Sequence, residues 1–121
     1  MAWFAAHAIM YVRFKDGRQD HYPVWENVLL IEAPDINDAE SMARDRARQD
    51  EGDSDGTFQW EDRPATWVFA GLRKTVRVAH QRVTSKLASG DEVTYSEFSV
   101  PNEAALRRLI AGENVAVEYV E

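Results

Sequence analysis

The segment from Trp3 to Phe14 limits the fold of this chain more than any other feature. Its odd-numbered and even-numbered side chains are both largely apolar, although the odd set includes His7 and Arg13. A strand with one solvated face alternates apolar and polar residues, whereas a strand covered on both faces does not. The pattern therefore predicts a strand at the centre of a sheet.

A turn and a second strand are predicted next. Asp16-Gly17 is typical of a type I′ turn, because both central residues of that turn need a positive φ. The returning strand is predicted over about 21–32, with its most buried stretch at 28–31. Pro23 near its start indicates a frayed or edge position, since proline donates no hydrogen bond to a neighbouring strand.

The first helix is predicted over about 38–49. Asn37 precedes it as a candidate N-cap, and Glu40 three residues later completes a capping box. One side of this helix carries apolar residues at helical spacing, namely Ile36, Ala39, Met42, Ala43 and Ala47. Small side chains on that stripe would let the helix lie close to a sheet.

The second half of the chain repeats this order in outline. Pro64 is expected to break the chain, and a long strand should follow over about 66–82. Its apolar parity changes at Ala70-Gly71, which predicts a β-bulge. The remaining predicted elements are a turn, a strand, a helix and a last strand, at about 89–91, 92–99, 103–111 and 115–119.

These elements predict a single α+β domain over residues 1–121. Their order is ββα, ββα and a final strand, with five to six strands in an antiparallel sheet and both helices on one face. The opposite face would be left open, and an open apolar face tends to be buried by a partner. We therefore expect a homodimer.

Several classes of site are excluded by what the sequence lacks. There is no cysteine, which rules out disulfide frameworks, thiolate metal sites and cysteine nucleophiles. Neither a G-x-S-x-G nucleophile elbow nor a Gly-rich phosphate loop is present. No signal-peptide pattern is seen, and no apolar run approaches the roughly 20 residues of a membrane span. We expect a cytoplasmic protein without a cofactor or a membrane contact, and we assign no catalytic residue.

Charge is spread unevenly along the chain. Residues 35–62 carry 10 acidic and 3 basic side chains, whereas residues 63–90 carry 6 basic and no acidic ones. The net charge of −7 argues against nonspecific nucleic-acid binding, which needs a basic surface. The basic block is expected to pair with acidic segments of the same chain.

The acidic segment is the first candidate site. Negative charge steers a basic partner toward a surface, and an aromatic side chain can anchor the contact. The segment therefore predicts a noncatalytic interaction or regulatory module that binds a basic protein partner, such as a toxin-like protein that it neutralises. The predicted partner-binding residues are Asp50, Glu51, Asp53, Asp55 and Trp60.

A pocket of another kind is the alternative. The protein would then bind a small molecule or act as a minor enzyme, with a pocket between sheet and helices or at a dimer seam. His7, Tyr11 and His80 would supply its polar groups. A histidine beside a carboxylate in such a pocket would favour this hypothesis.

A calcium loop is a third hypothesis. Glu51, Asp53 and Asp55 stand at ligand positions 1, 3 and 5 of the loop template. Asp62 replaces the usual bidentate glutamate at position 12, and Pro64 opposes a helix after the loop. These departures favour a solvated acidic loop without a metal.

Several short motifs occur in a characteristic order. They are the Trp-x-Ala-Ala opening strand at 3–6, Glu-Asn-Val-Leu-Leu-Ile-Glu-Ala at 26–33, and the helix, strand and turn motifs at 38–43, 67–72 and 90–95. Together they resemble a family of small bacterial proteins, a domain of unknown function, over about residues 1–100. The resemblance implies a small α+β bacterial protein, and it implies no activity and no catalytic residue. Residues 101–121 extend beyond the family pattern.

Overall fold

A computed structural model describes residues 1–78 and 86–121 and has an α+β architecture. Its elements are β1 (Ala2–Phe14), β2 (Val24–Ala33), α1 (Ile36–Gln49), β3 (Gln59–Trp60), β4 (Arg63–Arg77), β5 (Phe98–Ser99), α2 (Glu103–Ile110) and β6 (Glu118–Tyr119). Four strands form an antiparallel sheet in the order β2-β1-β4-β3, and β5 pairs with β6 in a separate two-stranded sheet. The end of the predicted long strand, with His80, lies outside the described residues.

The central position predicted for β1 is confirmed. This strand pairs with β2 along one edge and with β4 along the other. Its even-numbered side chains from Phe4 to Phe14 are buried in the core between the sheet and α1. On the opposite face, Ala5 and His7 are also buried, so both faces of the strand are covered at its centre.

Helix α1 packs on the sheet through alanines, as its sequence predicts. Ala39, Ala43 and Ala47 are at most 2% exposed, and the helix contacts β1, β2 and β4. Ile36 and Met42 were expected on the same buried stripe, yet they are 44% and 46% exposed. The buried stripe is thus limited to the alanines, whose small side chains let the helix pack closely on the sheet.

The N-cap of α1 is Asp35, so the prediction of Asn37 is wrong. Asp35 has an extended backbone, and its carboxylate accepts a hydrogen bond from Asp38 N at 2.8 Å. An N-cap needs non-helical φ and ψ, and Asn37 already lies inside the helix. For α2, by contrast, Asn102 is the N-cap and accepts from Ala105 N at 2.9 Å.

Strand β4 contains the predicted bulge and a second one. Its pairing with β1 shifts register between Ile9 and Met10 and again between His7 and Ala8. The first shift lies at Ala70-Gly71, where Gly71 has a φ of 151° that residues with a Cβ rarely adopt. The second shift was not predicted, and it leaves Arg73 as the extra residue.

Two predicted chain breaks differ from the structure. The connection after β1 spans residues 15–23 in place of a tight turn at Asp16-Gly17, because the Gln19 side chain bridges Phe14 N, Val12 O and His21 O. Pro64 lies inside β4 rather than before it, and its carbonyl accepts from Lys15 N.

The carboxyl-terminal part has less regular structure than the sequence predicts. Strands were expected over 92–99 and 115–119, and the paired segments are only β5 and β6. Helix α2 has no buried side chain and makes no extensive contact with the four-stranded sheet. Among the described elements, α1 is the one helix with extensive contacts to the four-stranded sheet, so the prediction of two helices on one face is wrong. No helix in the described part of the chain is long and apolar enough to cross a membrane.

Candidate functional site

An aromatic cleft of about 560 Å³ opens between the sheet and the carboxyl-terminal end of α1. We call it the tryptophan cleft. Its aromatic walls are the indoles of Trp25, Trp60 and Trp67, together with the ring of Phe58. Its remaining boundary is polar and exposed, and consists of Asp50, Glu51, Gly52 and Ser54.

Strand register brings the three indoles together. Trp25 lies opposite Met10 on β1, and Trp67 lies opposite Val12. Because residues opposite each other in a sheet share a face, both indoles project toward α1. Trp60 reaches them from β3 through a two-residue hairpin loop, Glu61-Asp62, whose residues both have positive φ.

The indoles meet edge to face. The ring centroids of Trp25 and Trp60 are 5.0 Å apart with an interplanar angle of 85°, and those of Trp25 and Trp67 are 4.8 Å apart at 66°. All three indoles are half-buried. This packing holds the rings firmly while leaving part of their surface open to the cleft.

The acidic loop after α1 is attached to the same strand as Trp67. Gly52 and Trp67 exchange two backbone hydrogen bonds, at 3.0 and 2.8 Å. One carboxylate oxygen of Glu51 accepts from Phe69 N at 2.8 Å. These three bonds hold the loop beside the cleft.

The carboxylates of this loop differ in how their charge is compensated. Asp53 pairs with Lys15, which together with the backbone N–H of Gly56 lowers the pKa of Asp53 below its usual range. Asp50 pairs with Arg46 at 2.7 Å. No lysine, arginine or histidine of residues 1–78 or 86–121 pairs with the Glu51 carboxylate, which keeps a net negative charge at the cleft.

The structure brings together only part of the predicted partner-binding set. Asp50, Glu51 and Trp60 line the tryptophan cleft. Asp53 is held by Lys15 outside it, and Asp55 does not line it. In the described residues no group of three potential ligands converges as a metal site. Of the calcium-loop carboxylates, Glu51 accepts from Phe69 N and Asp53 pairs with Lys15.

Trp25 and Trp67 were missed as cleft residues. Each reads as an ordinary buried position of a strand, and only their pairing with neighbouring β1 residues shows that they share a face. The apolar parity of Trp67 and Phe69 in the sequence was the available signal. It indicated a face without showing what lies opposite.

A second polar cluster lies on the other face of the sheet. His7, which is 1% exposed, places Nδ1 at 2.9 Å from Glu26 Oε2 and Nε2 at 2.5 Å from Thr94 Oγ1. Arg73 binds both oxygens of Glu26. The Arg73 guanidinium, followed by the His7 hydrogen bond, lowers the pKa of Glu26 to about 2.

This hydroxyl–imidazole–carboxylate chain has the order of a hydrolytic triad, but its surroundings favour a structural role. The imidazole is almost fully buried, and Glu26 is already the paired anion of Arg73. The chain therefore ties Thr94 to the sheet.

The residues of the predicted alternative pocket do not meet. Tyr11 lies four residues beyond His7 on the same face of β1. It packs against Tyr22, with ring centroids 5.6 Å apart. His80 lies outside the described residues. His7 does stand beside a carboxylate, yet it lines neither the tryptophan cleft nor the smaller cleft at Ile9 and Arg73.

The comparison with known proteins concerns most of the chain. A family model described as a domain of unknown function, DUF4288, matches residues 3–94. This span includes the tryptophan cleft and the sheet residues of the second cluster. Neither a curated protein nor a solved structure gives a match. The chain therefore belongs to the DUF4288 family.

Proposed function

We propose that this protein is a noncatalytic binding module that receives a cationic side chain of a basic protein partner in the tryptophan cleft. The observation that supports this proposal most strongly is that three partly open indoles lie beside the Glu51 carboxylate. Indole faces attract cations through their quadrupole, by about 0.5–2 kcal/mol for each contact. A carboxylate at the same position adds a charge-assisted hydrogen bond.

The positions of Arg48 and Arg63 support this proposal, because these side chains stack on rings other than the three indoles. Arg63 stacks over Phe14 at 3.6 Å, and Arg48 over Phe69 at 5.8 Å. In the part of the chain that the structure describes, no lysine or arginine stacks on an indole of the cleft. The cation-binding surface is thus left for another molecule.

Charge around the cleft favours a basic protein. The basic residues Arg63, Arg73 and Lys74 pair mainly with acids outside 35–62, which leaves much of that segment's net charge of −7 uncompensated. Such a field accelerates encounter with a basic surface and weakens with salt. Neutralisation of a toxin-like partner, a homodimer, a cytoplasmic location and a bacterial origin stay predictions.

The test is titration with a seven-residue peptide of alternating glycine with arginine or lysine, followed by tryptophan fluorescence. A peptide with glutamine at the basic positions is the control ligand. We expect the basic peptide to change the fluorescence at low salt and to bind more weakly as salt rises. Binding of both peptides alike would contradict the proposal.

Matched variants locate the binding. Glu51→Gln should weaken binding about fivefold, because a loss of about 1 kcal/mol corresponds to that ratio. Trp60→Leu should weaken it further. Asp62→Asn removes a carboxylate of the same acidic segment outside the cleft and should change affinity less than twofold. Equal losses for Glu51→Gln and Asp62→Asn would mean that only net charge acts.

A small organic cation is a second candidate ligand, favoured by the volume of the cleft. About 560 Å³ lies within the usual range for small-molecule sites, about 300–1,000 Å³. Choline and its uncharged isostere 3,3-dimethylbutan-1-ol separate the two cases. Selective millimolar binding of choline, with no gain in affinity from the longer basic peptide, would favour the small ligand.

A further inference from the structure

The second bulge in β4 places two consecutive cations on one face of the sheet. Lys74 lies opposite His7, whereas Leu72 lies opposite Ala8 and faces α1. Arg73, the extra residue between them, reaches Glu26 on the His7 face. In a regular strand Arg73 and Lys74 would project to opposite faces. Bulges commonly redirect a side chain next to functional sites.

The carboxylate of Glu121 binds both of these cations. Glu121 Oε1 lies 2.5 Å from Lys74 Nζ and 3.3 Å from Arg73 Nη2. Glu121 Oε2 accepts from Glu97 N at 3.1 Å. One carboxylate thus receives two charged donors and a backbone N–H, which is how proteins bind carboxylate ligands.

Aromatic rings complete the surroundings of this carboxylate. The Arg73 guanidinium stacks over Tyr119 at 4.2 Å, and Lys74 Nζ lies 4.6 Å from the ring centroid of Tyr95. The side chains of Arg73, Lys74 and Glu121 are 21%, 14% and 17% exposed. The contact is therefore much less screened than a surface ion pair.

Charge balance shows what the carboxylate contributes. Glu26 compensates Arg73 through two hydrogen bonds, so Lys74 carries the remaining positive charge of this group. Glu121 neutralises it. Without Glu121, the His7 face would present the uncompensated Lys74 ammonium beside a guanidinium that Glu26 already binds.

The boundary of the family model separates the cations from their occupant. His7, Glu26, Arg73, Lys74 and Thr94 all lie within the matched residues 3–94. Tyr95, Tyr119 and Glu121, which cover the cations, lie beyond that match. The cations thus lie within the matched residues, whereas the residues that cover them lie beyond the match.

We propose that Arg73 and Lys74 form a carboxylate-binding site and that Glu121 acts as its intramolecular occupant, competing with a carboxylate of a second molecule. The site is distinct from the tryptophan cleft, which lies on the opposite face and is proposed above to receive a cation. Because an attached competitor acts at an effective concentration in the millimolar range, the site is closed to weak ligands until residues 95–121 are displaced.

The experiment uses the full chain and N-acetylglutamate α-methylamide, which reproduces the Glu121 side chain. Binding is followed by NMR at the Arg73 Nε–H. We expect Glu121→Gln to bind this probe at least tenfold more tightly than the wild type. Glu118→Gln, the same change at an exposed position of β6, should behave like the wild type. The glutamine analogue of the probe should bind to neither.

Further variants separate binding from folding. Adding Lys74→Gln to Glu121→Gln should abolish probe binding, and the amide spectrum of β1 shows whether the sheet stays intact. An acidic tripeptide that binds Glu121→Gln more tightly than the single residue would identify a peptide as the carboxylate source, whereas equal affinities would identify a small acid. The proposal is overturned if Glu121→Gln binds the probe no better than the wild type.

Discussion

His7 and Glu26 are joined diagonally across two neighbouring strands, with His7 Nδ1 2.9 Å from Glu26 Oε2. The direct partner of His7 on β2 is Val28, and Glu26 lies opposite Ile9. Diagonal neighbours on one face are within reach of long side chains. The Glu26 carboxylate thus reaches from the edge strand β2 across β1, and it also binds Arg73 of β4.

Glu26→Gln is expected to lower the free energy of unfolding at pH 7 by about 2 kcal/mol. The substitution leaves the Arg73 guanidinium, which is 21% exposed, with only the 3.3 Å contact to Glu121. A largely buried charge that loses its bidentate anion is costly. Urea unfolding measures the loss. Glu32→Gln, at an exposed position of the same strand, should change stability by less than about 0.5 kcal/mol.

The same carboxyl should make stability depend on acid pH. The pKa of Glu26 falls from its ordinary value of 4.5 to about 2 in the folded chain. A carboxyl with a lowered folded pKa stabilises the protein above its unfolded pKa and loses this contribution as pH falls through the folded pKa. The difference in unfolding free energy between the wild type and Glu26→Gln should therefore shrink between pH 4.5 and pH 2. A difference that stays constant over this range would assign the effect to packing.

Asp62→Gly is expected to raise the free energy of unfolding by about 1 kcal/mol. Asp62 has a φ of 59° in the loop between β3 and β4, and glycine adopts this conformation without a Cβ clash. Asp45→Gly, the same change inside α1, should have the opposite sign because glycine is the poorer helix former. Thermal unfolding of both variants checks the prediction, and a destabilised Asp62→Gly would contradict it.

Ala43→Leu is expected to destabilise the chain by about 1–3 kcal/mol. Ala43 is 0% exposed between α1 and the sheet, and additional methylenes in a close-packed core force strain. Ser41→Leu introduces the same side chain on an exposed turn of α1 and should be tolerated. Denaturant midpoints at constant slope measure both changes. Equal midpoints would mean that the helix can move away from the sheet at little cost.

The two helix caps should differ in their effect on global stability. Asp35→Ala removes the bond to Asp38 N and should cost about 1 kcal/mol, because α1 is packed on the sheet. Asn102→Ala removes the corresponding bond in α2, whose side chains are not buried. Asn102→Ala should therefore lower the helical content while leaving the melting temperature almost unchanged. Circular dichroism with calorimetry distinguishes the two, and equal shifts in melting temperature would contradict the difference.

Local sequence patterns predicted those elements whose position in the fold follows from their own side chains. The apolar faces of β1 indicated its central position, and the alanines of α1 indicated close packing on a sheet. The parity change in β4 indicated the bulge at Gly71. The tight turn at Asp16-Gly17 was wrong, because the Gln19 side chain forms hydrogen bonds to β1 and to His21 of the connection, which no local preference reveals.

The candidate sites depended more strongly on long-range pairing. Charge density indicated Asp50 and Glu51, since the density of acids along the chain is a property of the sequence, and Trp60 was chosen as the aromatic anchor beside them. Trp25 and Trp67 join them because strand register sets which side chains share a face. The Arg73 and Lys74 pair likewise results from a bulge that shifts one residue against β1.

Hydrophobic periodicity and charge thus established the α+β class, the central strand, the first helix and an acidic surface, because each follows from residues close together in the chain. Three features required the folded sheet: the tryptophan cleft, the buried His7–Glu26 pair, and the site where Glu121 binds Arg73 and Lys74. Each joins residues far apart in sequence, and a shift of one residue in strand register would move each of these side chains to the other face.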